Sequence, residues 1–303
     1  MNLRIIKVVI LGLIVLLSCQ KEVSLNVPEL QNQPVFIEGL LTPGKKPKIY
    51  VSNSQYFFSE DVTPQEVFAR GADVAISEGE KVYYLYPDSI YNMFRCRWEL
   101  FFTTDLLPEY GKQYNLQVAF EGKNYSATTS IKQHTAKIKS VEYIPEFFDI
   151  YGGHDGVIIN ISDEAGKGDY YRFQMDRMID KTVFHAHSLD GFVNTCAEDG
   201  ELFPVTDIGR IIFSDEYYDG GTIEMYIEVS YEYSEGDEGT IYIQTLDKKS
   251  AEFYTNLDEQ LKAIKNPFVE PVFIKTQIEG ALGVFGSAVL SDSVHFVYPQ
   301  DNP

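Results

Sequence analysis

Apolar residues recurring at every second position, in short runs broken by turn residues, constrain this chain more than any other feature. Over residues 222–233, Ile223, Met225, Ile227, Val229, Tyr231 and Tyr233 fall on one side, and Glu224, Tyr226, Glu228, Ser230 and Glu232 on the other. A strand sends successive side chains to opposite faces, so the pattern is that of a β-strand with one face buried. The same alternation recurs over 48–53, 72–77 and 113–120. Glu78-Gly79-Glu80, Glu121-Gly122-Lys123 and Gly236-Asp237-Glu238-Gly239 supply the turns of three hairpins. A series of short strands at regular spacing over residues 35–135 predicts an immunoglobulin-like β-sandwich. Polar residues 133–139 mark a boundary, beyond which residues 136–303 read as a second antiparallel β-rich domain. It holds one amphipathic helix near 248–264, capped by Asp247, striped by Tyr254, Leu257, Leu261 and Ile264, and ended by Asn266-Pro267.

The first 34 residues follow other rules. Arg4 and Lys7 precede an unbroken apolar run over 8–17, then Ser18 and Cys19. A basic start, a short apolar core and a small residue at the cut describe a signal peptide over 1–18. The run is shorter than the ~20 residues that a helix needs to span a bilayer. Leu16-Leu17-Ser18-Cys19 resembles the bacterial lipobox, which implies acylation of Cys19, although Leu17 stands where a smaller residue is usual. Residues 19–34 then read as a lipidated tether, with Lys21-Glu22 loosely resembling the export signal that carries some Bacteroidetes lipoproteins to the outer face. Outer-membrane anchoring follows as an expectation, with the cell-surface face favoured over the periplasmic one.

Charge excludes some partners. The chain carries −20, and loss of Arg4 and Lys7 with the signal takes this to −22. Such a surface repels phosphate backbones and anionic lipid, so no nucleic acid is expected and membrane attachment should rest on the lipid anchor. With Cys19 acylated, Cys96 and Cys196 remain. In an exported protein they could form a disulfide tying the two halves together, or stay as two buried thiols, and the sequence leaves both open.

Several segments together resemble a known family. They include Phe36-Ile37-Glu38-Gly39, Tyr110-Gly111-Lys112-Gln113-Tyr114, Gly122-Lys123-Asn124-Tyr125, Asp169-Tyr170-Tyr171-Arg172-Phe173 and Asn266-Pro267-Phe268. The closing Glu279-Gly280-Ala281-Leu282-Gly283-Val284-Phe285-Gly286 is the most specific. Their order and spacing look like the Bacteroidetes outer-membrane lipoproteins grouped as domain of unknown function 4249. That resemblance implies an immunoglobulin-like region, a β-rich C-terminal region, and genes that often neighbour TonB-dependent outer-membrane receptors. It carries over no catalytic residue.

The candidate chemistry is sparse. His185 and His187, with Asp190, Cys196, Glu198 and Asp199 nearby, match no established zinc spacing and read as a polar loop. Asp215-Glu216, Asp219-Gly220-Gly221 and Gly236-Asp237-Glu238-Gly239 resemble calcium loops only in composition, and ordinary turn chemistry is preferred. No nucleophile elbow, phosphate loop or zinc-protease motif occurs. No enzyme activity, metal or cofactor is therefore expected. The leading expectation is a non-catalytic accessory of a TonB-dependent receptor, acting by ligand or receptor binding through the loop aromatics Tyr56, Phe57, Phe58, Tyr217 and Tyr218. An envelope structural or assembly lipoprotein without a small ligand is the alternative, and a hydrolase the remote one.

Overall fold

Sixteen strands and two helices make up the described residues. The structure, a computed structural model, describes residues 34–55, 63–149, 152–179, 196–198, 200–228, 235–266, 268, 270 and 272–299, all within the unit Gln33–Pro303. Cys19, residues 56–58 and residues 185–190 lie outside the described residues. Among the described residues no helix is long and apolar enough to cross a membrane.

The first region is mainly β. Strands β1 (Val35–Leu41) and β2 (Ile49–Asn53) pair antiparallel, followed by a one-turn helix α1 (Pro64–Val67). Strands β3 (Asp73–Glu78), β4 (Lys81–Tyr84), β7 (Gln113–Phe120) and β8 (Lys123–Ser130) form a four-stranded sheet in the order β4-β3-β7-β8. Strands β5 (Tyr86–Asn92) and β6 (Arg97–Thr103) form a hairpin that extends β2. Alternate residues fill the space between the sheets, among them Ile37, Ile49, Ile76, Tyr114 and Leu116. This is the sandwich that alternation predicts, since each strand must bury its apolar face against another sheet.

The second region repeats the principle. Strands β9 (Lys137–Asp149), β10 (Gly152–Ser162) and β13 (Thr222–Glu228) form a sheet in the order β13-β10-β9. Strands β11 (Tyr170–Ile179), β12 (Phe203–Ser214) and β14 (Glu238–Leu246) form the facing layer, with β16 (Val294–Val297) pairing β14. Val157, Ile159, Phe173, Met175, Met225 and Ile243 lie in the core between them. In β13, Ile223, Met225 and Ile227 are buried while Glu224 and Tyr226 are exposed.

One sheet runs through both regions. Strand β15 (Leu282–Leu290) pairs antiparallel with β14 and parallel with β1, giving the order β12-β11-β14-β15-β1-β2-β6-β5. Phe285 and Val289 of β15 sit in the first core. The glycines of the closing motif have steric causes. Gly283 has φ +115, and a Cβ there would collide with the Ile37 carbonyl. Gly286 faces helix α2 (Lys248–Lys265), where a Cβ would strike Ser250 and Asp247. Asp247 caps that helix by accepting from Ser250 N at 3.1 Å, and it also accepts from Ser287 N at 2.5 Å, locking the helix start to β15. The helix buries Ala251 and Phe253, whereas Leu261 and Ile264, the far end of the expected apolar stripe, are exposed. Ala263 is the apolar residue that the last turn buries.

Candidate functional site

A charged residue in the middle of a buried strand is the first pointer to the site. Glu38 sits between Ile37 and Gly39 of β1, on the face opposite the first core. Register carries that face outward in both directions, because paired residues share a side: Glu38 faces Tyr50, and Ile90 faces Glu99. At the other end of the same sheet Gln174 pairs Ile208 and Asp176 pairs Thr206. A groove of about 960 Å³ runs over this face, with Glu38, Tyr50, Arg97 and Glu99 on one side and Thr206 and Ile208 on the other.

The wall of the groove is the tip of the β5–β6 hairpin. Asn92 braces it by donating to Glu99 Oε1 at 2.6 Å and accepting from Arg95 N at 2.9 Å. Cys96 adopts φ +49 and is disulfide-bonded to Cys196, with Cα atoms 5.2 Å apart. Cys196 N also donates to Met93 O at 3.0 Å. Phe94 packs with Ile179, Ala197, Phe203 and Val205 in a small separate core. The hairpin tip is therefore fixed to β11 and β12, and residues of both regions line one concavity.

A buried polar chain floors the outer face of the sheet. Tyr254 OH donates to Glu38 Oε1 at 2.7 Å, and the Arg172 guanidinium lies 4.4 Å over the Tyr254 ring. Arg172 Nε donates to Gln244 Oε1 at 2.8 Å, Gln244 Nε2 to Gln174 Oε1 at 2.7 Å, and Gln174 Nε2 to Asp176 Oδ1 at 2.9 Å. Thr206 Oγ1 closes the chain on Asp176 at 2.8 Å. It thus links groove residues Glu38 and Thr206 from one end to the other. Burial, aided by Glu38, raises the Tyr254 phenol well above its usual range, and burial lowers the Arg172 guanidinium. Tyr50 is pushed up to about 12 by burial, with Glu99 and Glu38 adding to the effect. Arg172, Gln174 and Gln244 are buried behind the groove rather than on its surface, so they support Glu38 and Thr206, which do line it. Among the described lining residues there is neither histidine nor cysteine.

A second polar cluster lies at the far end of β12. Asp163 and Asp169 bound the β10–β11 connection, and Asp215 opens the β12–β13 connection. One carboxylate oxygen from each lies within 4.8 Å of the others, and all three residues are buried. Gly168 N donates to both Asp215 oxygens, at 3.0 and 2.9 Å, and Gly220 N donates to Asp163 Oδ2 at 2.8 Å. Tyr171 OH donates to Asp163 Oδ1, and burial together with that contact raises its phenol far above the usual range. Lys132 donates to Asp169 Oδ1 and, at 2.9 Å, to Gly168 O. These are the residues that could hold a metal.

Of the aromatics singled out in the sequence, Tyr217 and Tyr218 are 83% and 54% exposed beside this second cluster and do not line the groove. Tyr56, Phe57 and Phe58, as well as His185, His187, Asp190 and Asp199, lie outside the described residues. Glu198 is exposed and receives no metal-ligating neighbour among the described residues. Sequence reasoning missed Glu38, Arg172 and Gln174, whose signal was a polar residue inside a mainly apolar strand. It also missed Asp163 and Asp169, whose signal was an aspartate at each end of one glycine-bearing loop. No curated protein matches the chain. The family model described as Domain of unknown function (DUF4249) matches residues 20–292, and the chain belongs to that family.

Proposed function

We propose that this chain is a non-catalytic binding lipoprotein of the outer membrane, accessory to a TonB-dependent receptor, with the groove at the junction of its two regions as the ligand site. The groove carries the reading. Its volume of about 960 Å³ is at the upper end of what small-molecule and short-oligomer sites use, about 300–1,000 Å³. Its walls are held before any ligand arrives, by the Cys96–Cys196 disulfide and the Glu38–Thr206 polar chain. Preorganisation of this kind removes ordering costs from binding. A disulfide suits an exported protein, and the leader with Cys19 suits lipid anchoring. The receptor partnership rests on the Bacteroidetes family resemblance.

The test is affinity capture of the native lipoprotein from detergent-solubilised outer membranes, with Cys19→Ala as the anchoring control. Stoichiometric recovery of a TonB-dependent receptor supports the accessory role. Recovery of the lipoprotein alone, where established receptor–lipoprotein pairs survive, counts against it. Tyr50→Ala and Glu99→Gln then separate ligand from receptor contacts, because groove variants should lose ligand while retaining receptor.

A second reading, an envelope assembly role without a small ligand, draws on one observation. Strand β5 is the edge of the long sheet and exposes Tyr86, Ile90 and Tyr91. An edge strand can accept a strand from another protein. Partner recovery abolished by Ile90→Pro and untouched by Tyr50→Ala would favour that role.

A further inference from the structure

We propose that Asp163, Asp169 and Asp215 form a calcium site that ties the β10–β11 and β12–β13 connections together. Two observations carry it. The first is a mismatch of charge: three buried carboxylates face one ammonium, Lys132, so the cluster holds a formal −2. Uncompensated charge away from water is costly, and one divalent cation brings the sum to zero. The second is Asp169 itself. It is 2% exposed, its Oδ1 accepts from Lys132, and its Oδ2 is buried with no donor at all. Buried carboxylate oxygens are almost always satisfied, and an orphan oxygen within a group of converging acids is placed to take a cation.

The chemistry of the donors selects the ion. Oxygen-only ligands suit hard cations. Calcium takes six to eight oxygens in flexible geometry, whereas magnesium demands a near-ideal octahedron. Two of the three carboxylates are already held by loop N–H groups, from Gly168 to Asp215 and from Gly220 to Asp163, which favours the ion of more flexible geometry. The two loops also touch through Gly166 N to Asp219 Oδ1 at 2.7 Å and Asp163 N to Gly221 O at 3.0 Å. A cation here would cross-link two chain reversals at one end of the second sandwich, with water filling the rest of its shell. Lys132 sits beside the ion and weakens it, which points to the millimolar-range affinities of extracellular modules, about 10⁻⁴–10⁻³ M.

Calorimetric titration of the chelator-treated full chain in detergent tests this. The expected result is one calcium per chain and a melting temperature that rises with calcium, the unfolding constant falling about tenfold at ten times Kd. Asp169→Asn keeps a carbonyl for Lys132 and should weaken binding by at least about tenfold, since even outer-shell changes cost that much. Glu216→Gln, which removes an exposed charge of the same loop, should leave binding unchanged. Should Asp169→Asn fail to fold, Lys132→Met gives the independent reading: removal of the neighbouring ammonium should tighten calcium about tenfold. No uptake by the wild-type chain overturns the proposal and leaves Lys132 as the sole counter-ion. Uptake that persists in Asp169→Asn, or an affinity indifferent to Lys132→Met, also overturns it by placing the ion on surface acids.

Discussion

In the first region the two sheets close on hydrocarbon: Ile37, Ile49, Ile76 and Leu116 are fully or almost fully buried, and Phe285 and Val289 arrive from the end of the chain to complete the layer. The second region has an apolar core of its own, and Leu246, Ala251 and Ala288 cluster under the helix, but the rest of its outer face and its loop ends are closed by polar groups. Arg172, Gln174 and Gln244 are buried on the outer face, and Asp163, Asp169 and Asp215 at one end. A core made by area tolerates similar apolar substitutes. A polar closure does not, because removing one partner strands another. The first region can therefore be generic, whereas the second has to keep particular residues at particular places.

The sharpest way to break this division is at the strand that belongs to both regions. Gly283→Ala places a methyl against the Ile37 carbonyl at a backbone angle that only glycine adopts easily. It should destabilise by about 4 kcal/mol, among the largest single-residue effects, and denaturant unfolding should show two transitions, with a single one expected for the wild type. Next comes the covalent link. Replacing Cys96 and Cys196 by serine opens a loop of sequence separation 100 and should cost about 3 kcal/mol, read as a lower urea midpoint. The groove wall should loosen with it, seen as faster amide exchange in β5 and β6 and slower exchange retained in β3 and β7.

Asp247→Ala probes the polar side of the comparison. It removes the helix cap and leaves Ser287 N without its acceptor, so a loss of about 2 kcal/mol is expected, while Asp247→Asn should recover part of it. The smallest effect concerns pH. Tyr50 is neutral when protonated, and its folded value of about 12 lies above the ordinary value of 10. Its contribution is fully present below pH 10 and is lost as pH rises through 12. Tyr50→Phe should match the wild type up to pH 10 in urea unfolding and become relatively more stable between pH 10 and 12.

How much of this was legible in the sequence follows the same division. Ile223, Met225 and Ile227 announce β13 by period alone, and the hairpins at Gly79 and Gly122 announce themselves by turn chemistry. Strand β5 was illegible: Tyr86-Pro87-Asp88-Ser89 buries nothing, and its strand state comes from pairing with β6. The groove was hidden for a related reason. Glu38 and Thr206 are 168 positions apart, and only sheet order brings their faces into one surface. The aspartate cluster divides likewise. Asp215 stands in a turn readable as acidic and glycine-rich, whereas Asp163, Asp169 and Lys132 join it through loop packing that no local pattern encodes.

The parallel pairing of β1 with β15 has a consequence in time. Residues 36–41 find their neighbours at 282–287, so the first sandwich stays one strand short until residues 282–287 have been delivered. Contacts so distant along the chain form late and slowly. A polypeptide emerging amino end first therefore keeps its earliest strands waiting, with an unpaired edge at β1 exposed to whatever else is present. A chain cut short before residue 282 would carry the open edge permanently.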